Sequence, residues 1–289
     1  MPASRLKILK THKLFIGGKF PRTESGRVAP AVSIEGKNLE NFSLASRKDF
    51  REAMRIARKA QPGWAKASAF LRGQILYRSA EIAEQRRGEL IDQLSQAGSG
   101  RAAQEVDTAL DRLVYHAGWT DKYAQLFGSI NPVASAHLNF TTPEPVGVVA
   151  IISPPEPALL GLVSLLAPAI LSGNSVVLLA SEKIPLPAIS FAEILATSDL
   201  PAGVVNILTG HHAELVPHFA THLDLNAIVD ASGHEATGVT ARGGSAFNLK
   251  RYAKRALSTE AWFGSQAEDP YWILETVEFK TAWHPGGRG

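Results

Sequence analysis

The sequence predicts an α/β fold: a Rossmann-like parallel sheet with a helical N-terminal layer and two protruding strands. The first observation is that continuous apolar runs alternate with helical segments within residues 144–240. Such runs are typical of parallel strands, because helices cover both faces of a parallel sheet. The second observation is the helical spacing of apolar residues through most of residues 14–128. The third is a pair of extended, alternating segments, 129–143 and 272–285.

The elements of the N-terminal part are predicted in order. Residues 1–13 are basic and irregular, and we expect a tail there. A glycine pair within residues 14–20 favours a tight hairpin. Ser46 and Asp49 have the spacing of a capping box, which predicts that a helix starts after Ser46. We expect this helix to end at the Pro62-Gly63 pair.

Four strands of the parallel sheet are predicted, at residues 146–152, 175–180, 204–208 and 227–231. Right-handed crossovers bring the carboxyl ends of parallel strands to one edge, where α/β proteins bind their ligands. The turns that follow the first three strands, 153–157, 181–183 and 209–212, therefore lie on the candidate ligand side.

The composition excludes several classes of protein. The 289 residues carry a net charge of +3, which is too small to indicate a nucleic-acid or membrane-surface partner. The absence of cysteine excludes disulfides, thiolate metal sites and a thiol nucleophile within this sequence. No apolar run is long enough for a signal peptide or a membrane span, so we expect a soluble, cytoplasmic protein.

Few residues are candidates for chemistry. Glu156 is a candidate general base between two prolines, with a solvated loop carboxylate as the alternative. His218 and His222 have the spacing of one helix face, but zinc needs three or four ligands, and we expect no metal site. A serine nucleophile, Ser153 or Ser232, would need a histidine base beside it; His234 is near Ser232 in sequence.

Several stretches, in one order along the chain, resemble the aldehyde dehydrogenase superfamily. They are residues 14–20, 115–122, 145–154, 200–210 and 275–281. The final part of the chain resembles most the truncated, non-catalytic C-terminal half of aldehyde dehydrogenase family 16.

This resemblance implies a division of the chain into domains. A dinucleotide-binding-type domain is expected at 14–128 and 144–240, with a connecting segment at 241–271. Oligomerisation strands are expected at 129–143 and 272–285, and the family's catalytic domain is expected to be missing.

The same resemblance implies where NAD(P) contacts would lie: Ser153, Pro154, Glu182, Gly210, Ser232 and Gly233. Three departures weaken this site. Glu156 stands where the family has an oxyanion-stabilising asparagine, and Leu179 replaces a lysine that would bind the adenosine ribose. Asp230 adds a negative charge beside the expected pyrophosphate. We therefore expect no catalytic residue and no bound cofactor, with residual NAD(P) binding as the alternative.

The predicted function is that of a structural or regulatory subunit, inactive alone, which oligomerises with itself or with a full-length, catalytic aldehyde dehydrogenase. The expected interface residues are Leu138, Phe140, Val277, Phe279 and Trp283. Two alternatives remain open: a divergent NAD(P)-dependent dehydrogenase that uses Glu156 or a serine, and a nucleotide-binding sensor.

Overall fold

The computed structural model describes residues 8–286 and begins with a small mixed sheet. Its strands are β1 (Thr11–His12), β2 (Val28–Val32) and β3 (Asn38–Ser43), in the order β1-β3-β2. The expected tail is wrong at its end, because β1 pairs with β3 and His12 is 1% exposed. Residues 1–7 of that tail lie outside the described residues.

Five helices form the N-terminal layer: α1 (Arg47–Lys66), α2 (Ala69–Gln85), α3 (Arg87–Gln96), α4 (Ala102–Ala117) and α5 (Tyr123–Phe127). The Ser46–Asp49 capping box before α1 is confirmed. The expected end at Pro62 is wrong, since α1 continues for one more turn. The buried Trp64 anchors that turn by donating from Nε1 to the Ile170 carbonyl, 2.8 Å away.

The central sheet has five parallel strands: β6 (Val148–Ile152), β7 (Ser175–Leu179), β8 (Val205–Leu208), β9 (Ala227–Asp230) and β10 (Arg251–Lys254). Their order is β10-β9-β6-β7-β8. The predicted α/β fold and four of these strands are confirmed. β10 lies in the segment that we expected to be a connection. It escaped prediction because its four residues, RYAK, are exposed or half-buried at the edge of the sheet.

Helices cover both faces of this sheet: α6 (Ala158–Leu171), α7 (Leu186–Ala196), α8 (His212–Thr221) and α9 (Glu235–Ser245). Val149 and Ile151 point to one core, built with α2, α4, α6 and α7. Val148, Ala150 and Ile152 point to the other, built with α1, α8 and α9. Every residue of α6 is buried, because this helix lies between the sheet and α4.

The last part of the chain first packs against the core and then extends away from it as an exposed strand. α10 (Thr259–Phe263) and two 3₁₀ turns, Ser265–Glu268 and Pro270–Thr276, lead to β11 (Val277–Pro285). β11 pairs antiparallel with β5 (His137–Pro145) over nine residues, and β4 (Ser129–Asn131) pairs with the other side of β5. We call this three-stranded sheet the arm sheet. No helix within residues 8–286 is long and apolar enough to cross a bilayer.

Candidate functional site

The strand order of the central sheet reverses between β9 and β6, and the candidate site lies at this position. β6 pairs with β7 on one side and with β9 on the other, so the connections from β6 and β9 diverge. In such sheets the crevice opens at the carboxyl ends of the two strands. The turn at 153–157, after β6, and the turn at 231–234, after β9, line this crevice.

The turn after β6 is buried at its start and exposed at Glu156. The Ser153 hydroxyl is buried and has no hydrogen-bond partner among the described residues, so no imidazole stands by to activate it. Pro154 packs so tightly on α6 that a Cβ on Gly161 would lie 2.3 Å from its Cγ. Glu156 forms a 2.9 Å ion pair with Lys183, and its side chain is 42% exposed. Glu156 is thus a solvated, paired carboxylate.

A second carboxylate near this turn was missed from the sequence. Glu105 of α4 is 3% exposed, and its Oε1 accepts hydrogen bonds from the backbone N–H groups of Leu159 (2.8 Å) and Leu160 (3.4 Å). It therefore caps the N-terminus of α6 from another helix, in place of a local capping side chain. Burial raises the pKa of Glu105, and the charge of Glu156 adds to this effect against the opposing hydrogen bonds.

Glu105 and Glu156 share a small cavity of about 150 Å³ at this edge. Its other lining residues are Gly98, Ser99, Gly100, Arg101, Pro157, Ile184, Thr259 and Phe263. The cavity thus combines a buried carboxyl group, whose pKa is raised, with an exposed carboxylate. This pair can exchange a proton with a ligand, but the cavity contains no thiol, imidazole or amine nucleophile among its lining residues.

The turns after β7 and β8 meet at Glu182. Its carboxylate accepts a hydrogen bond from His211 Nδ1, at 2.8 Å, and from the backbone N–H of His212, at 3.1 Å. Burial alone would raise the pKa of Glu182, but these hydrogen bonds lower it overall. Both carboxylate oxygens are therefore already engaged within the chain. Gly210, just before the histidines, is buried against the Ala45 backbone.

The turn after β9 is held by an internal carboxylate. Asp230 is 2% exposed; it accepts from the Ser232 backbone N–H and from the Tyr252 hydroxyl, each at 2.9 Å. Burial and the bond to Asp230 raise the pKa of Tyr252. The Ser232 hydroxyl accepts from the His234 backbone N–H at 3.3 Å, so the contact of these two residues does not involve the imidazole. Gly233 has a φ of 72°, a conformation that glycine adopts without strain.

The start of α9 is where a pyrophosphate would meet backbone N–H groups, since helix N-termini favour anions. Asp230 is buried behind this turn, and Glu235, whose side chain is 80% exposed, is the first residue of α9. Glu235 pairs with Lys254 at 3.5 Å, and both carboxylates lower the positive potential at this helix N-terminus. Glu182, at the same edge, accepts from His211 and from the His212 backbone N–H.

Comparison with known proteins gives the family. Residues 22–253 match the model of the aldehyde dehydrogenase family. The chain belongs to the aldehyde dehydrogenase family. Retinal dehydrogenase 2 of Gallus gallus is 31% identical over 260 residues, which are 87% of this chain and 50% of that protein. Cytosolic aldehyde dehydrogenase 1 of Elephantulus edwardii is 30% identical, over 86% of this chain and 51% of its own length.

A solved structure gives the same result. The NAD⁺ complex of an aldehyde dehydrogenase from Bacillus cereus superposes with a TM-score of 0.80 at 25% identity. This match covers 85% of the present chain and 50% of the Bacillus chain. The chain thus spans about half the length of the aldehyde dehydrogenases that it matches. The resemblance that we identified from the motifs is confirmed at the level of the family.

The five predicted interface residues lie on the arm sheet or at its base, and they differ in exposure and in the face of the sheet that they occupy. Phe279 and Trp283 are 48% and 60% exposed on one face, and Leu138 is 48% exposed on the other, with the half-buried Phe140. Val277 is fully buried in the main core, so its expected interface role is wrong. It fixes the base of the arm sheet instead.

The sequence carried a signal for the missed residues. Glu105, Arg112 and His116 occupy the same helical stripe of α4 as Val106, Ala109 and Leu113, and all are buried. Polar residues at core positions of a helix must find internal partners, or they are costly. Among residues 8–286, no cluster of three or more His, Asp or Glu side chains could hold a metal ion.

Proposed function

We propose that this chain is a non-catalytic aldehyde dehydrogenase homologue that acts as a structural or regulatory subunit. The single observation that carries the proposal is at the turn after β6. There, an ion-paired Glu156 stands where the family stabilises a developing oxyanion. A carboxylate at this place destabilises negative charge on a substrate oxygen. The lack of any cysteine in this sequence supports the same proposal, because no thiol nucleophile is available within it.

The proposed partner is either a second copy of the chain or a catalytic aldehyde dehydrogenase that contributes the thiol. The arm sheet supports this choice. β11 has a neighbour on one side, and within residues 8–286 no strand pairs with its other edge, where only the Val277 carbonyl at its start accepts from a side chain, that of Arg251. Proteins cover or pair such edges, and strand addition is a common form of recognition. The closer similarity to family 16 stays a prediction.

Substitution of Trp283 tests the proposed interface. In Trp283→Lys, a charge replaces an aromatic ring that is 60% exposed at the outer end of β11. We expect analytical ultracentrifugation to show an oligomer for the wild type and a monomer for this variant. Phe70→Lys is the matched control, because Phe70 is 71% exposed on α2, away from the arm sheet. Equal assembly of both variants would contradict the interface, as would a wild type that stays monomeric with and without a catalytic aldehyde dehydrogenase.

We also propose that the dinucleotide site has lost most of its affinity. The support is the set of carboxylates at Asp230, Glu182 and Glu235. Calorimetric titration with NAD⁺ should give a Kd weaker than about 1 mM, a binding free energy of about −4 kcal/mol or less favourable. Micromolar binding without turnover would instead support a nucleotide sensor.

A second candidate function, a divergent dehydrogenase, is favoured by the cavity that Glu105 and Glu156 share. Its test is NADH formation with short aldehydes. Turnover that disappears in Glu156→Gln would support this candidate and contradict the non-catalytic proposal. We expect no turnover by the purified chain.

A further inference from the structure

A groove between α1 and α8 has no role in the function proposed above. It lies between the first half of α1 and the last turn of α8 and has a volume of about 370 Å³. Its lining residues are Arg47, Phe50, Arg51, His218, Thr221, His222 and Leu223. None of these residues belongs to the turns at the carboxyl edge of the sheet, so the groove is a separate site.

The two arginines of this groove are unpaired. Arg47 and Arg51 are four residues apart and lie on one face of α1. Within residues 8–286 neither guanidinium has a hydrogen bond or an ion pair. Two other cations of the same helix are paired, Lys48 with Glu24 and Arg55 with Glu52. The two guanidinium groups therefore add positive charge to the groove without a direct ion pair, and Glu52 is near enough to Arg51 for their charges to interact.

Two histidines face these arginines from α8. His218 and His222 have the same four-residue spacing, and His218 has no hydrogen-bond partner in the described part of the chain. His222 accepts at Nδ1 from the Asp224 backbone N–H, at 3.2 Å, which leaves Nε2 free. Four nitrogen-bearing side chains thus converge on one concave surface.

The charges around the imidazoles are mostly positive. Burial lowers the pKa of His218, and Arg47 lowers it further. Burial also lowers the pKa of His222; Asp224 opposes this effect, while Lys250 and Arg58 add to it. Neutral imidazoles in this setting gain protons when an anion arrives, because the anion offsets the neighbouring cations.

The floor of the groove is apolar. Phe50 stacks on Phe219 with ring centroids 4.4 Å apart, and the His222 ring meets Phe50 edge-on at 5.5 Å. Leu223, at the end of the groove, is 70% exposed. An anion that binds between the arginines would therefore have an apolar surface beside it for a carbon skeleton.

We propose that this groove binds the phosphate group of a small phosphate monoester. Arg47 and Arg51 would hold the phosphate oxygens, since guanidinium groups form strong, directional bonds to phosphate. His218 would donate a further bond in its protonated form, His222 would donate through Nε2–H while its Nδ1 accepts from Asp224, and Leu223 would contact the organic part. The volume is that of a small-ligand site. Binding would strengthen as the pH falls towards about 6, because His218 takes up a proton with the anion, and would weaken below that, where the phosphate loses its second charge.

Phenyl phosphate is a suitable probe, because it combines a phosphate group with an apolar ring. Titration calorimetry of the intact chain at constant ionic strength should show binding that Arg51→Gln weakens about tenfold, the effect of losing one charged hydrogen bond. The matched control is Arg55→Gln, one turn along α1, where the arginine is already paired with Glu52. This control should bind within about twofold of the wild type.

A second measurement reports on the histidines directly. In NMR titrations, phenyl phosphate should raise the pKa of the His218 and His222 imidazoles in the wild type, and the shift should be lost in Arg51→Gln. The proposal is overturned if neither imidazole responds at about 10 mM probe, far above a useful Kd. It is also overturned if Arg55→Gln and Arg51→Gln weaken binding equally, since that result indicates general attraction to a basic helix.

Discussion

Arg112→Met should cost about 3–5 kcal/mol of unfolding free energy, because it removes a buried cation that donates hydrogen bonds to several buried acceptors. The guanidinium is 2% exposed and donates to the Ser164 hydroxyl (3.1 Å) and the Gly264 carbonyl (2.7 Å). It also donates to the Trp262 and Ala267 carbonyls and pairs with Glu268 at 3.1 Å. The Arg112 side chain thus links the segment between β10 and β11 to α4 and α6 through hydrogen bonds.

Chemical denaturation measures this loss, and the matched control is Arg101→Met. Arg101 reaches the same segment, through Glu260, but that pair is exposed at 36% and 79%. Its guanidinium also lies 4.0 Å from the centre of the Phe263 ring. We expect a cost of no more than about 1 kcal/mol at this surface site. Similar losses in the two variants would refute the role of burial.

Glu105→Ala should destabilise the fold by about 2–4 kcal/mol, through the loss of an acceptor for two backbone N–H groups at the start of α6. Glu105→Gln is the matched control variant, because the amide oxygen of the glutamine can still accept from the backbone N–H groups of Leu159 and Leu160. The glutamine carries no charge, and we therefore expect it to keep most of the stability that alanine loses. Equal destabilisation by both variants would show that the cap does not matter.

The pH dependence of these variants follows from the raised pKa of Glu105. Because the folded protein holds the proton more tightly than the unfolded chain, the protonated form stabilises the fold. This contribution is present below the ordinary value of 4.5 and is lost as the pH rises through the folded pKa. Glu105→Gln should therefore gain stability relative to the wild type as the pH rises above 4.5 and through the folded pKa. A constant difference across that range would contradict the pKa argument.

The sequence was informative wherever burial is continuous. β6 and β7 are buried at every position, and such runs stand out from any surface element. β10 was not predicted, because an edge strand with Arg251 and Lys254 exposed has the composition of a loop. Pairing with β9 supplies its structure, and this tertiary effect leaves no local pattern.

The candidate site was predictable in position but not in detail. Parallel topology predicted that the turns at 153–157, 181–183 and 209–212 share one edge of the sheet, and the parallel pairing of β6, β7 and β8 bears this out. The partners of individual carboxylates could not be predicted. Glu105 and Leu159 are 54 residues apart in sequence, and His211 and Glu182 are 29 apart. Such contacts depend on how helices settle on the sheet, and a single sequence carries no direct signal for that.

The two edge strands of the arm sheet differ in length, and this difference limits how many further strands the sheet can add. β11 offers a nine-residue edge, whereas β4, at the other side, has three residues. If β11 of a second copy pairs with β11, it finds a partner strand of nine residues. The free edges of the joined sheet are then the two β4 strands, which have too few backbone groups to hold a further strand. Strand addition to this sheet should therefore stop after one round. The geometry that exposes a long edge also protects the chain from open-ended, amyloid-like stacking.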